Sequence, residues 1–101
     1  MKFLVTGLPG TTSMPVEQGA ELLQVALAWL KEKLSEGTLE CTYNLFGGGG
    51  IGIVSAASHE QVLSLLLTYP LYPYFTWEVE PLLEFEAAYK SYISYYQDLS
   101  G

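Results

Sequence analysis

The spacing of apolar residues switches repeatedly between two-fold and helical periods along this chain, and each switch delimits an element. From Lys2 to Leu8 the pattern alternates, with Phe3, Val5 and Gly7 on one face and Leu4, Thr6 and Leu8 on the other, until Pro9 and Gly10 close the run. That predicts a first strand. Thr11, Thr12 and Ser13 supply loop and cap chemistry, Pro15 suits a first helical turn, and Glu17 sets negative charge at the positive end of a helix dipole. Leu23, Ala26, Leu27, Leu30 and Leu34 then recur at helical spacing as a predicted core stripe, and Gly37 ends the helix. Thr38 to Phe46 alternates again, predicting a strand with Leu39, Cys41, Tyr43 and Leu45 on one side and Thr38, Glu40, Thr42 and Asn44 on the other.

The glycines from Gly47 to Gly50 predict a hairpin turn, and Ile51 to Ala56 resumes as a third strand. Ser58 followed by Gln61 is a capping-box signature, Val62, Leu65, Leu66 and Tyr69 form a second apolar stripe, and Pro70 stops that helix. Tyr72 and Pro73 make a rigid connector before Phe75, Trp77 and Val79, which alternate with Thr76, Glu78 and Glu80 in a fourth strand ending at Pro81. From Leu83 onward Phe85, Ala88, Tyr89, Tyr92, Tyr96 and Leu99 predict a terminal helix with a tyrosine-rich face that packs on a neighbouring subunit. Strand, helix, strand, strand, helix, strand is the ferredoxin-like order. It places two helices on one face of a four-stranded antiparallel sheet in an α+β fold and leaves the other face bare. The whole chain, 1–101, is expected to be one domain, with a core over 1–82 and the extra C-terminal helix over 83–99.

Composition turns the bare face into an expectation about assembly. Half of the residues are hydrophobic and 15% are charged, against roughly a quarter charged in an average soluble domain. A surface this poor in charge calls for a homo-oligomer, a dimer or larger, in which two bare faces pack into a dimeric α+β barrel. Four basic residues against eleven acidic ones give a net charge of −7, which excludes the neutralisation of a nucleic-acid backbone or attraction to an anionic membrane. The single Cys41 permits no internal disulfide, and no apolar run approaches the ~18 residues of a membrane span. A cytoplasmic location is expected.

Few residues carry chemistry. Gly47, Gly49 and Gly52 satisfy the spacing of a dinucleotide fingerprint, but the chain continues from them into a strand where that fingerprint needs a helix N-terminus. They belong to the hairpin. His59, the sole histidine, follows the Ser58 cap without a metal-ligand cluster and is expected at the surface. Two polar rows remain: Thr76, Glu78 and Glu80 on the fourth strand, and Glu40, Thr42 and Asn44 on the second. They face either solvent or an enclosed barrel. In a barrel Glu78 would lose hydration and become a proton-transfer group, with Tyr72 or Tyr43 as an orienting hydroxyl and Glu40, Asn44 and Thr76 contacting substrate. A cofactor-free enzyme, a small-molecule binding module and a structural oligomer all fit these residues.

The block Tyr69-Pro70-Leu71-Tyr72-Pro73-Tyr74, followed by Trp77-Glu78-Val79-Glu80, resembles the muconolactone Δ-isomerase family, which carries a Pro-Leu-aromatic-Pro segment before a Glu-Val-acidic strand. The resemblance extends upstream through Glu36-Gly37-Thr38 and the glycine hairpin, covering roughly residues 20 to 82. It implies a ferredoxin-like fold, dimeric α+β barrels that assemble into larger rings, double-bond isomerisation of a carboxylate-bearing lactone, and no metal or organic cofactor. The family's basic residues on the second strand are replaced here by Glu40 and Asn44, and the only cations are Lys2, Lys31, Lys33 and Lys90. An anionic substrate would meet a repulsive site, so the expected ligand is neutral or weakly polar and efficient muconolactone turnover is not expected.

Overall fold

Strand β1 (Lys2–Pro9) is central and pairs antiparallel on each side. One neighbour is β3 (Gly50–Ser55), with Phe3 opposite Val54 and Val5 opposite Gly52. The other is β4 (Phe75–Leu82), with Val5 opposite Val79 and Gly7 opposite Trp77. Strand β2 (Leu39–Asn44) pairs with β3, so the sheet order in the computed structural model, which describes residues 1–101, is β2-β3-β1-β4. With α1 (Val16–Glu36) and α2 (His59–Leu67) as the connections, this is the expected ferredoxin-like α+β fold. The additional C-terminal helix, α3 (Phe85–Ser100), follows the last strand. Fraying and capping shift the edges slightly: α1 begins after Pro15 with no side-chain cap, so Thr11, Thr12 and Ser13 serve the loop only. Strand β4 runs through Pro81, which has no N–H to donate and is tolerated because β4 is an edge strand with one side free of ladder bonds.

The core lies between the sheet and α2. Phe3 and Val62 are wholly buried, with Val5, Leu39, Val54 and Leu66 around them. Ser58 caps α2 by accepting from the Gln61 N–H at 3.2 Å, while the Gln61 side-chain oxygen accepts from the Ala57 N–H at 2.8 Å. Gly37 ends α1 in the left-handed conformation, with φ of 82°.

Two expectations need correction. The predicted core stripe of α1 is mostly not core: Ala26 is buried and Leu30 partly so, but Leu23 and Leu27 are 52% and 53% exposed and Leu34 is 40% exposed. The strand positions facing this helix include Gly7, Gly50 and Gly52, which offer no side chain to meet those leucines. The predicted faces of β2 also change, because a bulge between Leu39 and Cys41 resets the alternation. Leu39 now shares the helix-covered face with Thr42 and Asn44, whereas Glu40, Cys41 and Tyr43 lie on the open face.

Helix α3 buries none of its residues. It accounts for the elongated shape, 66 × 29 × 24 Å with a radius of gyration of 17.4 Å, where a compact chain of this length has about 13 Å. No helix is long and apolar enough to cross a membrane.

Candidate functional site: a cleft between the first helix and the sheet

The gap left between α1 and the glycine-bearing strands is a cleft of about 290 Å³, larger than the ~150 Å³ that accommodates a benzene ring in a dry cavity. Its floor is backbone. Gly7, Gly50 and Gly52 lie on adjacent strands, and the hairpin closes beside them through the Leu45 N–H bond to the Gly49 carbonyl at 2.9 Å. Gly49, with φ of 83°, packs against the Gly7 carbonyl so closely that a Cβ there would collide with it. A Cβ on Gly7 would lie 2.8 Å from Trp77 Cζ3, because the Trp77 ring crosses over that glycine. Leu23, Leu27 and Leu30 of α1 form the roof.

One end of the cleft is aromatic. Trp29 and Tyr69 approach with ring centroids 5.0 Å apart, and Tyr69 meets Trp77 edge-on at 5.8 Å. Tyr72 stacks on Trp77 within 9° of parallel, and Phe75 closes against it at 5.8 Å. Both indole N–H groups are committed away from the cavity, Trp29 donating to Thr68 Oγ1 and Trp77 to the Tyr72 carbonyl, each at 3.1 Å. The tryptophans therefore offer ring surface rather than donors. Thr42 also spends its hydroxyl, donating to the Ile51 carbonyl at 2.9 Å. Of the lining side chains, the Asn44 amide and the Tyr69 hydroxyl make no hydrogen bond within the chain and can bind a polar atom, and the Thr42 oxygen can still accept. Burial pushes the Tyr69 phenol above its usual 10.0, which fixes it as a neutral hydrogen-bond donor or acceptor at physiological pH.

No lining residue is charged. The structure contains no group of three or more His, Cys, Asp or Glu side chains close enough to hold a metal ion. The expected site residues divide between the two faces of the sheet. Asn44 lines the cleft, and Tyr72 supports it from behind Trp77. Glu78 and Thr76, on the β4 edge, and Glu40, on the β2 edge, face the open side; Tyr43 shares that face by register but also contributes to the lining of the cleft. Glu40 there accepts from Lys2 at 2.9 Å, which raises the Lys2 amine above 10.5. Since β2 and β4 are the opposite edges of the sheet, Glu78 does not meet Tyr43 within one copy, and Tyr72 stacks on Trp77, which alternates with Glu78 to the other face of β4. His59 is exposed, its ring edge-on to Phe3 at 4.8 Å. The cleft residue with no sequence signal of its own is Trp29, whose one trace is its position beside Leu30, three residues after Ala26.

No family model matches the chain, and no curated protein matches it in sequence. Among solved structures it is similar to muconolactone isomerase, at a TM-score of 0.72 and 22% identity over 83% of this chain and 90% of that one. It is similar also to the 5-chloro-2-hydroxyhydroquinone dehydrochlorinase of Burkholderia phenoliruptrix, solved with 2,5-dihydroxybenzoquinone. That match has a TM-score of 0.67 and 18% identity over 83% of this chain and 95% of that one. At these identities the likeness establishes the muconolactone isomerase-like fold that the Tyr69 to Glu80 block led us to expect.

Proposed function

We propose that the cleft binds a small, neutral, weakly polar ring compound, held by ring contacts and hydrogen bonds rather than by charge, and that the chain is an isomerase-like protein. The observation that carries this reading is a lining of 22 residues, 16 of them hydrophobic, with no charge among them. A carboxylate entering such a site would lose hydration and gain no cation, whereas a ring carbonyl or phenol would find the Tyr69 hydroxyl and the Asn44 amide. The structural neighbours act on, or were solved with, ring compounds carrying oxygen substituents, which agrees in size and shape. A second reading, a carrier without turnover, is favoured by the same lack of a carboxylate or imidazole in the cleft. In either case we place the protein in the cytoplasm as a homo-oligomer whose open sheet faces pair. Glu78, Thr76, Glu40 and Tyr43 then lie in that interface, with Glu78 as the proton-transfer candidate there.

The test uses the only two tryptophans in the chain, Trp29 and Trp77, both of which line the cleft. Their emission is titrated with catechol, methylhydroquinone and a neutral unsaturated lactone, and with muconolactone as the carboxylate-bearing member of the series. Saturable quenching by a neutral ring, at least about tenfold tighter than by muconolactone, is expected; ~1.4 kcal/mol of unfavourable carboxylate desolvation suffices for that ratio. No saturation with any neutral ring, or a preference for the carboxylate, overturns the proposal. Turnover of the bound compound, lost in Tyr69→Phe and retained in Glu78→Gln, identifies the cleft as catalytic. The opposite pattern moves the chemistry to the open face.

A further inference from the structure

Phe85, Tyr89, Tyr92, Tyr96 and Leu99 follow one another at intervals of four, three, four and three residues. That is an unbroken seven-residue repeat of a and d positions, the 3.5-residue period by which one helix packs along another. These side chains are 76%, 63%, 54%, 68% and 65% exposed, and α3 has no partner within its own chain.

We propose that α3 pairs with α3 of a second copy as a short antiparallel coiled coil with an aromatic seam, an interface separate from the ligand cleft and from the open sheet face. Aligning a positions of one helix with d positions of the other sets Phe85 against Tyr96 of the second copy and Tyr89 against its Tyr92. All four aromatic members of the stripe are matched in this register, and the two-fold axis repeats each contact. The partner is a copy of this chain because partner choice between helices is written in charges beside the seam. The flanking residues here are Glu86, Ala88, Ile93 and Tyr95, a single charge.

Antiparallel order follows from two further observations. A parallel pair would bring Glu84 and Glu86 of both copies to one end and align the helix dipoles, whereas the antiparallel pair opposes the dipoles and separates those carboxylates. The whole chain is also 29 × 24 Å across its long axis, far wider than the 8–10 Å between packed helix axes, and antiparallel pairing puts the two bodies at opposite ends of the helices. The helix has 16 residues, and at 150–250 Å² per aromatic side chain its stripe presents on the order of 600 Å², close to the ~800 Å² per partner of a stable interface. Isolated helices of this length are marginal in water, so the seam forms only between tethered bodies.

Disulfide trapping in a Cys41→Ser background tests the register. The double variant Phe85→Cys/Tyr96→Cys is expected to oxidise to a covalent dimer, because its two cysteines face each other across the two-fold at disulfide distance. Neither single variant should link, since each cysteine lies opposite an aromatic residue. Linking by either single variant as fast as by the double means a parallel pair and overturns the proposal. So does failure of the double variant to link, including the case where α3 instead seats in a neighbour's cleft and shifts the emission of Trp29 and Trp77. Independently of cysteine chemistry, Tyr92→Glu should raise the midpoint of dissociation on dilution by about thirtyfold or more, the effect of losing a central aromatic contact. Ser94→Glu, on the opposite side of the helix, should leave it unchanged; equal midpoints for the two variants also overturn the proposal.

Discussion

Replacing Gly7 by alanine puts the smallest possible probe under the aromatic end of the cleft. A Cβ at this position lies 2.8, 3.1 and 3.2 Å from three carbons of the Trp77 ring, so the indole must move or the strands must part. The ring has little room to yield: its N–H is bonded to the Tyr72 carbonyl at 3.1 Å, Tyr72 stacks on one face, and Tyr69 and Phe75 crowd its sides at 5.8 Å. Overpacking of this kind costs about 1–3 kcal/mol, against which removing a glycine from a strand interior returns roughly 0.5–1 kcal/mol. The net expectation is a loss of about 1–2 kcal/mol, and at ~4–8 °C per kcal/mol for a chain of this size the melting temperature should fall by roughly 5–15 °C. Thermal unfolding followed by circular dichroism measures it, and near-ultraviolet ellipticity reports whether the tryptophan has been displaced. Because Trp77 forms the cleft wall, the displaced ring should also weaken binding of neutral ring compounds. An unchanged or raised melting temperature would refute the close packing of Trp77 over Gly7, and with it the reason that a glycine stands there.

Ser58→Ala removes the oxygen that accepts from the Gln61 N–H at the start of α2, which should cost about 1 kcal/mol; chemical denaturation showing no change would mean that the cap contributes nothing. The Tyr69 phenol, raised by burial above 10.0, should contribute a late step when absorbance is followed at alkaline pH, and that step should be missing from Tyr69→Phe. Because its folded value lies above its unfolded one, its contribution to stability is complete below pH 10 and declines as the pH rises through the folded value. Tyr69→Phe should remove that part of the alkaline decline, and an identical decline in both proteins would exclude Tyr69 as its source.

The order of elements and the open face of the sheet were readable because they depend on period and punctuation, which are local. Pro70 and Pro73 delimit the connector, Ser58 and Gln61 announce α2, and Trp77 alternates with Glu78 as the register requires. The cleft was not readable, for two physical reasons. The two-residue period of β2 breaks at Glu40, and a bulge carries no residue-type signature strong enough to show that Thr42 and Asn44 change sides. The leucines of α1 obey the same helical spacing whether they meet a packed sheet or a hollow one, and only the three-dimensional alignment of Gly7, Gly50 and Gly52 beneath them leaves the space. Glycines were visible as turn formers in the hairpin, but their role as a floor depends on neighbouring strands far apart in sequence.

Three apolar surfaces therefore share a chain in which only ten of 101 residues are buried, and their shapes assign them different occupants. The cleft is concave, about 290 Å³ in volume, and supplied with an amide and a hydroxyl. A small molecule can satisfy those two groups and fill that space, whereas a helix about 10 Å wide cannot enter it. Helix α3 is the reverse, a convex stripe about 24 Å long with no concavity for a ligand, and area of that form is removed from water only by another surface running along it. The open sheet face lies between these cases: Leu4, Ile51 and Ile53 offer broad apolar area, with Glu78 and Glu80 toward one edge and the Lys2–Glu40 pair toward the other. A second sheet can cover this apolar centre, which is the physical ground for proposing the open face for assembly and the cleft for a small ligand.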